Sequence, residues 1–425
     1  MEKRSPSAII VCCQVFYPDE QSTSQLLSPV LRQLSSLGLG LIVLSGFPAV
    51  FAAQSRVVPS LELWEGIRIR RLGLRRSGKG ALTMRFVTYV SYTWGVIGLL
   101  LGVQRSDRVL VVTNPPFLPL IAVTVGCLRR HRVKVMLQDI YPDGLVAVGA
   151  IKAEGWVDRL WRVANRWAFR RSKEVWVLGR DMAELVQARY GIAASRVRVV
   201  PHWSPIEFSQ RTPPQNSRLW EAQALAGKFV VQYSGNMGLW HDLVSIVRAA
   251  ALLRDDPWIV FLLIGSGRAR ASAEAEAERL GLQNVRWLPY QPREALADSL
   301  ACCHVALISQ RAGLEGVAVP CKLYGILASG RAVVAQVPVR SEVARVVEEE
   351  RCGVVVPPAD ADALAREIRR LSQAPEEVER MGERAFAAYR EKYTLEAGVR
   401  AFEAGFKDWG ENESSAVAAA SSRVL

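Results

Sequence analysis

Glu315 and Lys322 share a glycine-punctuated stretch at 313–335, GLEGVAVPCKLYGILASGRAVVA. A carboxylate and an ammonium in one tight loop that leads into a helix read as a polyanion site. Pro320 stands where a helix should start, Lys322 falls in its first turn, and Gly330 closes it before the strand-like AVVA. Backbone N–H groups at a helix N-terminus attract phosphate. Taken alone, the segment is also readable as a plain strand–loop–helix–strand unit with both charges solvated.

Two further segments carry chemistry. Ser234-Gly235-Asn236-Met237-Gly238, followed by His241 and Asp242, comes directly after the apolar run 229–233. Glycines there permit close backbone approach, and the N–H groups opening the next helix suit a diphosphate without a metal; a ligand-free tight turn is the other reading. Asp139, in LQDIYPD, ends another apolar run. Its carboxylate could bind hydroxyls or take a proton, or it could cap the turn before Pro142. The seven cysteines form no C-x-x-C pair, and Cys12-Cys13 and Cys302-Cys303 lie in apolar runs. They read as reduced core residues, so no metal or other cofactor is expected.

The elements that position these residues follow from the apolar pattern. Strand-like runs at 8–13, 41–45, 108–113, 133–137 and 174–178 alternate with helical stretches such as 23–37. They lack period-two alternation, which predicts an α/β fold with a parallel sheet covered on both faces. A proline-rich stretch at 201–219 breaks the rhythm, and strands at 229–233, 258–264, 305–308 and 352–356 then predict a second doubly wound sheet. The expected division is a first Rossmann-like domain at 1–205, a second at 206–393, an amphipathic helix at 394–410 and a disordered tail at 411–425.

Of the net charge of +13, residues 1–200 carry +15 and residues 201–425 carry −2. Arg68, Arg70, Arg71, Arg75, Arg76 and Lys79 form a cluster, followed by the uncharged run 86–103, FVTYVSYTWGVIGLLLGV. Basic residues beside an apolar, aromatic-bearing segment suit an anionic membrane surface. The run is short and polar-diluted for a span, so it reads as a buried or interfacial helix. Nothing supports nucleic-acid binding. Glu2, Lys3 and Arg4 precede an apolar stretch too short for a secretory core, so the expected location is cytoplasmic, peripheral at the inner face of the cell membrane.

Taken in order, four segments resemble the family 4 retaining glycosyltransferases: 233–238 with His241-Asp242, FLLIGSG at 261–267, NVRWLPY at 284–290, and the stretch 313–335. The branch it most resembles builds bacterial colanic acid, O-antigen and capsule-type polysaccharides, and shows a GLEG…VPxKxYGILAxGRP pattern. The resemblance covers nearly the whole chain. It implies two Rossmann-like domains facing across a cleft (GT-B), with the acceptor on the first and the donor on the second, and the helix 394–410 crossing back to the first. It also implies a metal-independent transfer of a hexosyl or N-acetylhexosaminyl group from a nucleotide sugar to a lipid-linked saccharide. Attack from the front face would let the departing diphosphate accept the acceptor proton.

By the same resemblance, Gly235, Asn236, Met237, Gly238, His241, Gly265, Gly267, Leu288, Tyr290, Lys322 and Leu323 line the donor site. Glu315 contacts the donor sugar or its cationic transition state, and Asp139 stands across the cleft. Tyr290 is also readable as a core aromatic. The chain departs from the family where many members carry a second, ribose-binding Glu, because Gly325 stands there. Asn236 and His241 stand roughly where the family's diphosphate Arg and Lys belong, so Lys322 is expected to supply the charge, with His241 assisting when protonated. His202, where relatives often have Asn, reads as a loop or hinge residue. Two other functions fit the architecture: a catalytically silent nucleotide-sugar-binding scaffold, and a nucleotide-sugar epimerase. A dehydrogenase is disfavoured, since no strand is followed by G-x-G-x-x-G with its acidic partner.

Overall fold

Apolar runs without alternation become strands buried on both faces, and the computed structural model builds two sheets from them. It describes residues 8–48, 58–75, 82–103, 108–407 and 409. The first sheet contains β1 (Ile9–Cys12), β2 (Leu41–Gly46), β3 (Leu61–Trp64), β4 (Ile67–Leu72), β5 (Arg108–Val112), β6 (Arg132–Met136), β7 (Glu174–Val177) and β8 (Val197–Val199). Its order is β3-β4-β2-β1-β5-β6-β7-β8, parallel except that β3 runs antiparallel to β4. The second contains β9 (Phe229–Ser234), β10 (Ile259–Ile264), β11 (Val285–Leu288), β12 (Val305–Ser309), β13 (Ala332–Gln336) and β14 (Gly353–Val356). It is parallel throughout, in the order β11-β10-β9-β12-β13-β14. In each sheet the strand order reverses beside the first strand, between β1 and β5 and between β9 and β12. Loops leaving such a reversal at the carboxyl ends are where doubly wound sheets bind ligands.

The hairpin β3–β4 is absent from the sequence reading, because its residues look like a charge cluster. Glu65 and Gly66 both take positive φ, the geometry of a tight hairpin turn. Alternation along β4 then buries Ile67, Ile69 and Arg71 and exposes Arg68 and Arg70. Arg71 therefore does not belong to the expected basic surface. Its guanidinium is buried, pairs with Glu62 at 2.6 Å, and donates to the carbonyls of Pro59 and Tyr17. Arg76 and Lys79 lie outside the described residues, as does the tail at 411–425. The run 86–103 lies in the helix Leu82–Leu101, whose Tyr92, Val96 and Leu100 are buried while Phe86 and Trp94 are exposed. Among the described residues no helix is long and apolar enough to cross a membrane.

The chain divides into two compact units, the first running to Pro142 and continuing through Glu154–Pro201 and from Leu395 on, the second comprising Asp143–Ala153 and His202–Thr394. The sequence had assigned all of 143–153 to the first domain. Those residues instead pack within the second unit, where a Cβ on Gly144 would meet the Trp240 ring at 2.7 Å and Val317 Cγ1 at 3.3 Å. The helix Leu395–Lys407 belongs to the first unit. It is fastened there by Lys134, buried on β6, whose Nζ donates to the Gly405 carbonyl and to Glu174 Oε2, both at 2.7 Å. Helix and sheet approach so closely that a Cβ on Gly405 would come within 2.3 Å of the Trp176 ring.

Candidate functional site

The second unit's strand reversal brings most of the expected site residues together. β9 delivers Tyr233 and the loop from Gly235; β12 delivers Ser309 and the loop that carries Glu315. Contacts between the loops include Arg311 N–H donating to the Trp240 carbonyl at 3.0 Å and Asp242 N–H donating to Ser309 Oγ at 2.9 Å. Buried Gln310 shapes the Glu315 loop from beneath, because its Nε2 donates to the carbonyls of Leu314 and Ala318, each at 3.0 Å. Nothing in the sequence marked Gln310, since a lone Gln at a strand end has no pattern. Glu315 itself is exposed at the loop's surface between Gly313 and Gly316, both at positive φ.

Lys322 opens the helix Lys322–Ser329. Its Nζ is buried, donates to no hydrogen-bond partner among the described residues, and sits 3.8 Å from the centre of the Tyr233 ring. A Cβ on Gly235 would lie 3.8 Å from that same Nζ. Burial pulls the Lys322 ammonium down to about 7. An enclosed amine with no carboxylate beside it is held ready for an anion from outside the chain.

His241 is different from expectation. Its Nδ1 lies 2.7 Å from the Ser309 carbonyl, so Nδ1 carries the proton and Nε2 is an acceptor. Burial, then the charge of Lys322, lower its pKa to about 3, so His241 is neutral and is no auxiliary cation. The helix after the glycine loop is also not an open anion site, because Asp242 caps it, its Oδ1 accepting from Ser245 N–H at 3.2 Å. At Lys322–Ser329, the N–H groups of Leu323 and Tyr324 turn back to the carbonyls of Pro320 and Cys321, both at 3.3 Å. Charge at this site therefore comes from the lysine side chain more than from helix termini.

Several expected donor residues prove to build the site from behind. Met237 and Leu323 are fully buried. Met237 spends its N–H on the Ser266 carbonyl and its carbonyl on Ala269 N–H, both at 2.9 Å. Gly265 and Gly267 are needed for this stitching: Cβ atoms there would approach the Gly235 and Met237 carbonyl oxygens to 2.0 and 2.4 Å. Leu288 contributes its carbonyl to Gly265 N–H at 3.0 Å and to Arg270 Nη1 at 3.1 Å. Asn236 is exposed and Gly238 half-buried beside it. Tyr290 is 54 % exposed, not a core aromatic, and its hydroxyl donates to the Ser266 carbonyl at 3.2 Å. Gly325 is buried, and a Cβ there would touch Leu300 Cδ1 at 3.4 Å, so this face of the helix packs inward. His202 is buried against Tyr324 and Trp203, and burial lowers its pKa to about 4.

Asp139 lies in the first unit, just past β6. Burial raises its carboxyl to about 7, and Tyr141 is close enough to feel its charge. A carboxyl poised there exchanges a proton near neutrality, as a general base must.

Known proteins carry the same pattern. The family described as Glycosyl transferases group 1 matches residues 218–388, and the Glycosyl transferase 4-like domain matches residues 30–203. WbjE of Pseudomonas aeruginosa, described as a probable glycosyltransferase, is 26% identical over 274 residues, 64% of this chain and 67% of its own. WcaI of Escherichia coli strain K12, described as a putative colanic acid biosynthesis glycosyl transferase, is 28% identical over 276 residues, again 64% and 67%. The crystal structure of Anabaena HepE in complex with UDP and glucose superposes with a TM-score of 0.68 over 95% of this chain and 100% of that one, at 15% identity.

Proposed function

Because this chain belongs to the family 4 glycosyltransferases of the GT-B fold, we propose that it takes a hexosyl or N-acetylhexosaminyl group from a nucleotide sugar to a lipid-linked saccharide, with retention and without a metal. The observation that carries this reading is the enclosed, partnerless Lys322 Nζ over Tyr233 and beside Gly235. A diphosphate leaving group needs a positive charge, and this amine is placed to provide it. UDP bound by the structurally similar HepE supports a uridine nucleotide as the donor, and the likeness to WcaI supports a role in surface polysaccharide synthesis.

In the proposed reaction the bond between the sugar's anomeric carbon and the diphosphate oxygen breaks as the acceptor oxygen bonds to the same face. The acceptor proton passes to the departing diphosphate. Glu315 faces the sugar and steadies the positive charge that develops on its ring; neutral His241 offers Nε2 to a sugar hydroxyl. Asn236, Gly238 and Tyr290 are the accessible donor contacts, and Gly235, Met237, Gly265, Gly267, Leu288 and Leu323 hold the frame. The lipid acceptor and the basic first half support a peripheral position at the cytoplasmic face of the membrane.

Thermal shift with uridine and guanosine diphosphate sugars tests the donor, since a ligand of the folded state raises its melting temperature. Failure of every nucleotide sugar to do so would sink the reading. Glu315→Gln should leave diphosphate binding intact and slow transfer by about a hundred- to a thousandfold, the effect of losing one preorganised electrostatic contact. Near-normal turnover would remove Glu315 from the site.

A further inference from the structure

Besides burying Ala168 and Phe169, the helix Trp156–Arg171 carries an apolar stripe on its solvent side, where an ordinary surface helix is polar. Its buried positions include Asp158 and Asn165. Asp158 accepts from Glu154 N–H and Arg162 Nε, and Asn165 Nδ2 donates to the Tyr141 carbonyl. Four large apolar residues face outward: Trp156 is 78 % exposed, Leu160 64 %, Val163 62 % and Trp167 38 %. Steps of four, three and four residues place all of them in one stripe. Arg159, Arg170 and Arg171, all exposed, flank that stripe within about 60° by helical geometry.

A convex stripe edged by arginines, with its one carboxylate turned inward, is complementary to an anionic surface. Its Trp rings suit the boundary between headgroups and acyl chains. The exposure continues on the neighbouring helices of the same unit, with Leu128 on Leu118–Arg129 and Phe86 and Trp94 on Leu82–Leu101. We propose that the Trp156–Arg171 face is the surface by which the first unit lies on an anionic bilayer, its apolar stripe inserted and its arginines paired with headgroups. This rests on the peripheral-membrane reading above, and moves the contact from the β4 arginines to this helix.

The test uses the full chain and sedimentation with vesicles of phosphatidylcholine, alone or with about one third phosphatidylglycerol to supply the negative surface. The parent should bind the anionic vesicles. Combined Trp156→Ser, Leu160→Ser, Val163→Ser and Trp167→Ser should weaken that binding at least about tenfold with an unchanged melting temperature, because exposed side chains have no core role. Arg159→Gln with Arg171→Gln should weaken it by about fivefold per arginine, about twenty-fivefold together, and reduce its salt dependence. Unchanged binding by the quadruple variant overturns the inference. So does loss of binding only on combining Leu61→Ser, Leu63→Ser, Arg68→Gln and Arg70→Gln, which would keep the membrane reading and return the contact to the hairpin. A parent that binds no vesicles removes both. A parent that is a dimer, becoming monomeric in the quadruple variant without ever binding vesicles, would show the face to be a self-association surface.

Discussion

Each unit encloses a lysine, Lys134 within β6 and Lys322 at a helix start, and the two differ in what surrounds them. Lys134 in the first unit reaches a carboxylate and a helix carbonyl and lies over the Trp409 ring at 4.8 Å. Burial pulls its ammonium below the ordinary range, the bond to Glu174 opposing. Burial likewise pushes Glu174 up, but its bonds from Lys134, Trp176 and Arg198 outweigh this and hold the carboxyl low. Lys322 also has an aromatic ring, that of Tyr233, yet among the described residues no hydrogen-bond acceptor reaches its Nζ. A buried charge whose partners are in the chain is architecture; one whose partner is missing from the chain is a binding device.

The largest expected effect is at the satisfied lysine. Lys134→Met should destabilise the protein by about 3 kcal/mol, since it leaves the Gly405 carbonyl and part of Glu174 without a donor. Chemical denaturation measures this, and a variant as stable as the parent would make the network incidental. Lys322→Met should act in the opposite sense on the ligand-free protein, raising its stability at neutral pH by roughly 1 kcal/mol or more as an uncompensated amine is removed. The same variant should lose more than about tenfold in nucleoside diphosphate affinity, because charge-assisted hydrogen bonds contribute about 1.5–3 kcal/mol. If calorimetry gives equal affinities, the phosphates bind elsewhere.

The pH dependence refines the contrast. The unfolded Lys322 amine stays protonated to about 10.4, whereas in the folded chain it loses its proton near 7. Between these values the unfolded state binds more protons, so this residue makes stability rise with pH; below about 7 its contribution is flat. A bound diphosphate favours the ammonium, so binding above pH 7 takes up a proton and its affinity falls by up to about tenfold per pH unit. Calorimetry in buffers of different ionisation enthalpy reads that proton directly. The smallest expected effect is at His241, which stays neutral above about 3. His241→Asn should therefore leave the pH profile of diphosphate affinity unchanged, its break near 7 from Lys322 included.

Local pattern was enough for the strands of both sheets and for the loops that bear Gly235 and Glu315, because apolar runs and glycine breaks act over a few residues. Lys322 was also legible, its spacing from Pro320 placing it at the helix start. The β3–β4 hairpin was not, since a short strand rich in arginine reads as solvated charge until a neighbouring strand buries alternate residues. Likewise Met237 and Leu323 looked like ligand contacts, and only the packing of loop on loop turned them inward.

The sequence by itself determined the α/β class, the two doubly wound sheets, the order of the site loops and the family, all consequences of residue type and spacing along the chain. Only the tertiary structure decided that His241 is neutral, that Arg71 is buried while Arg68 is exposed, that residues 143–153 belong with the second unit, and that the Trp156–Arg171 helix shows its apolar side to solvent. Each of these depends on which groups from distant parts of the chain exclude water from one another, and desolvation and pairing are properties of that three-dimensional neighbourhood.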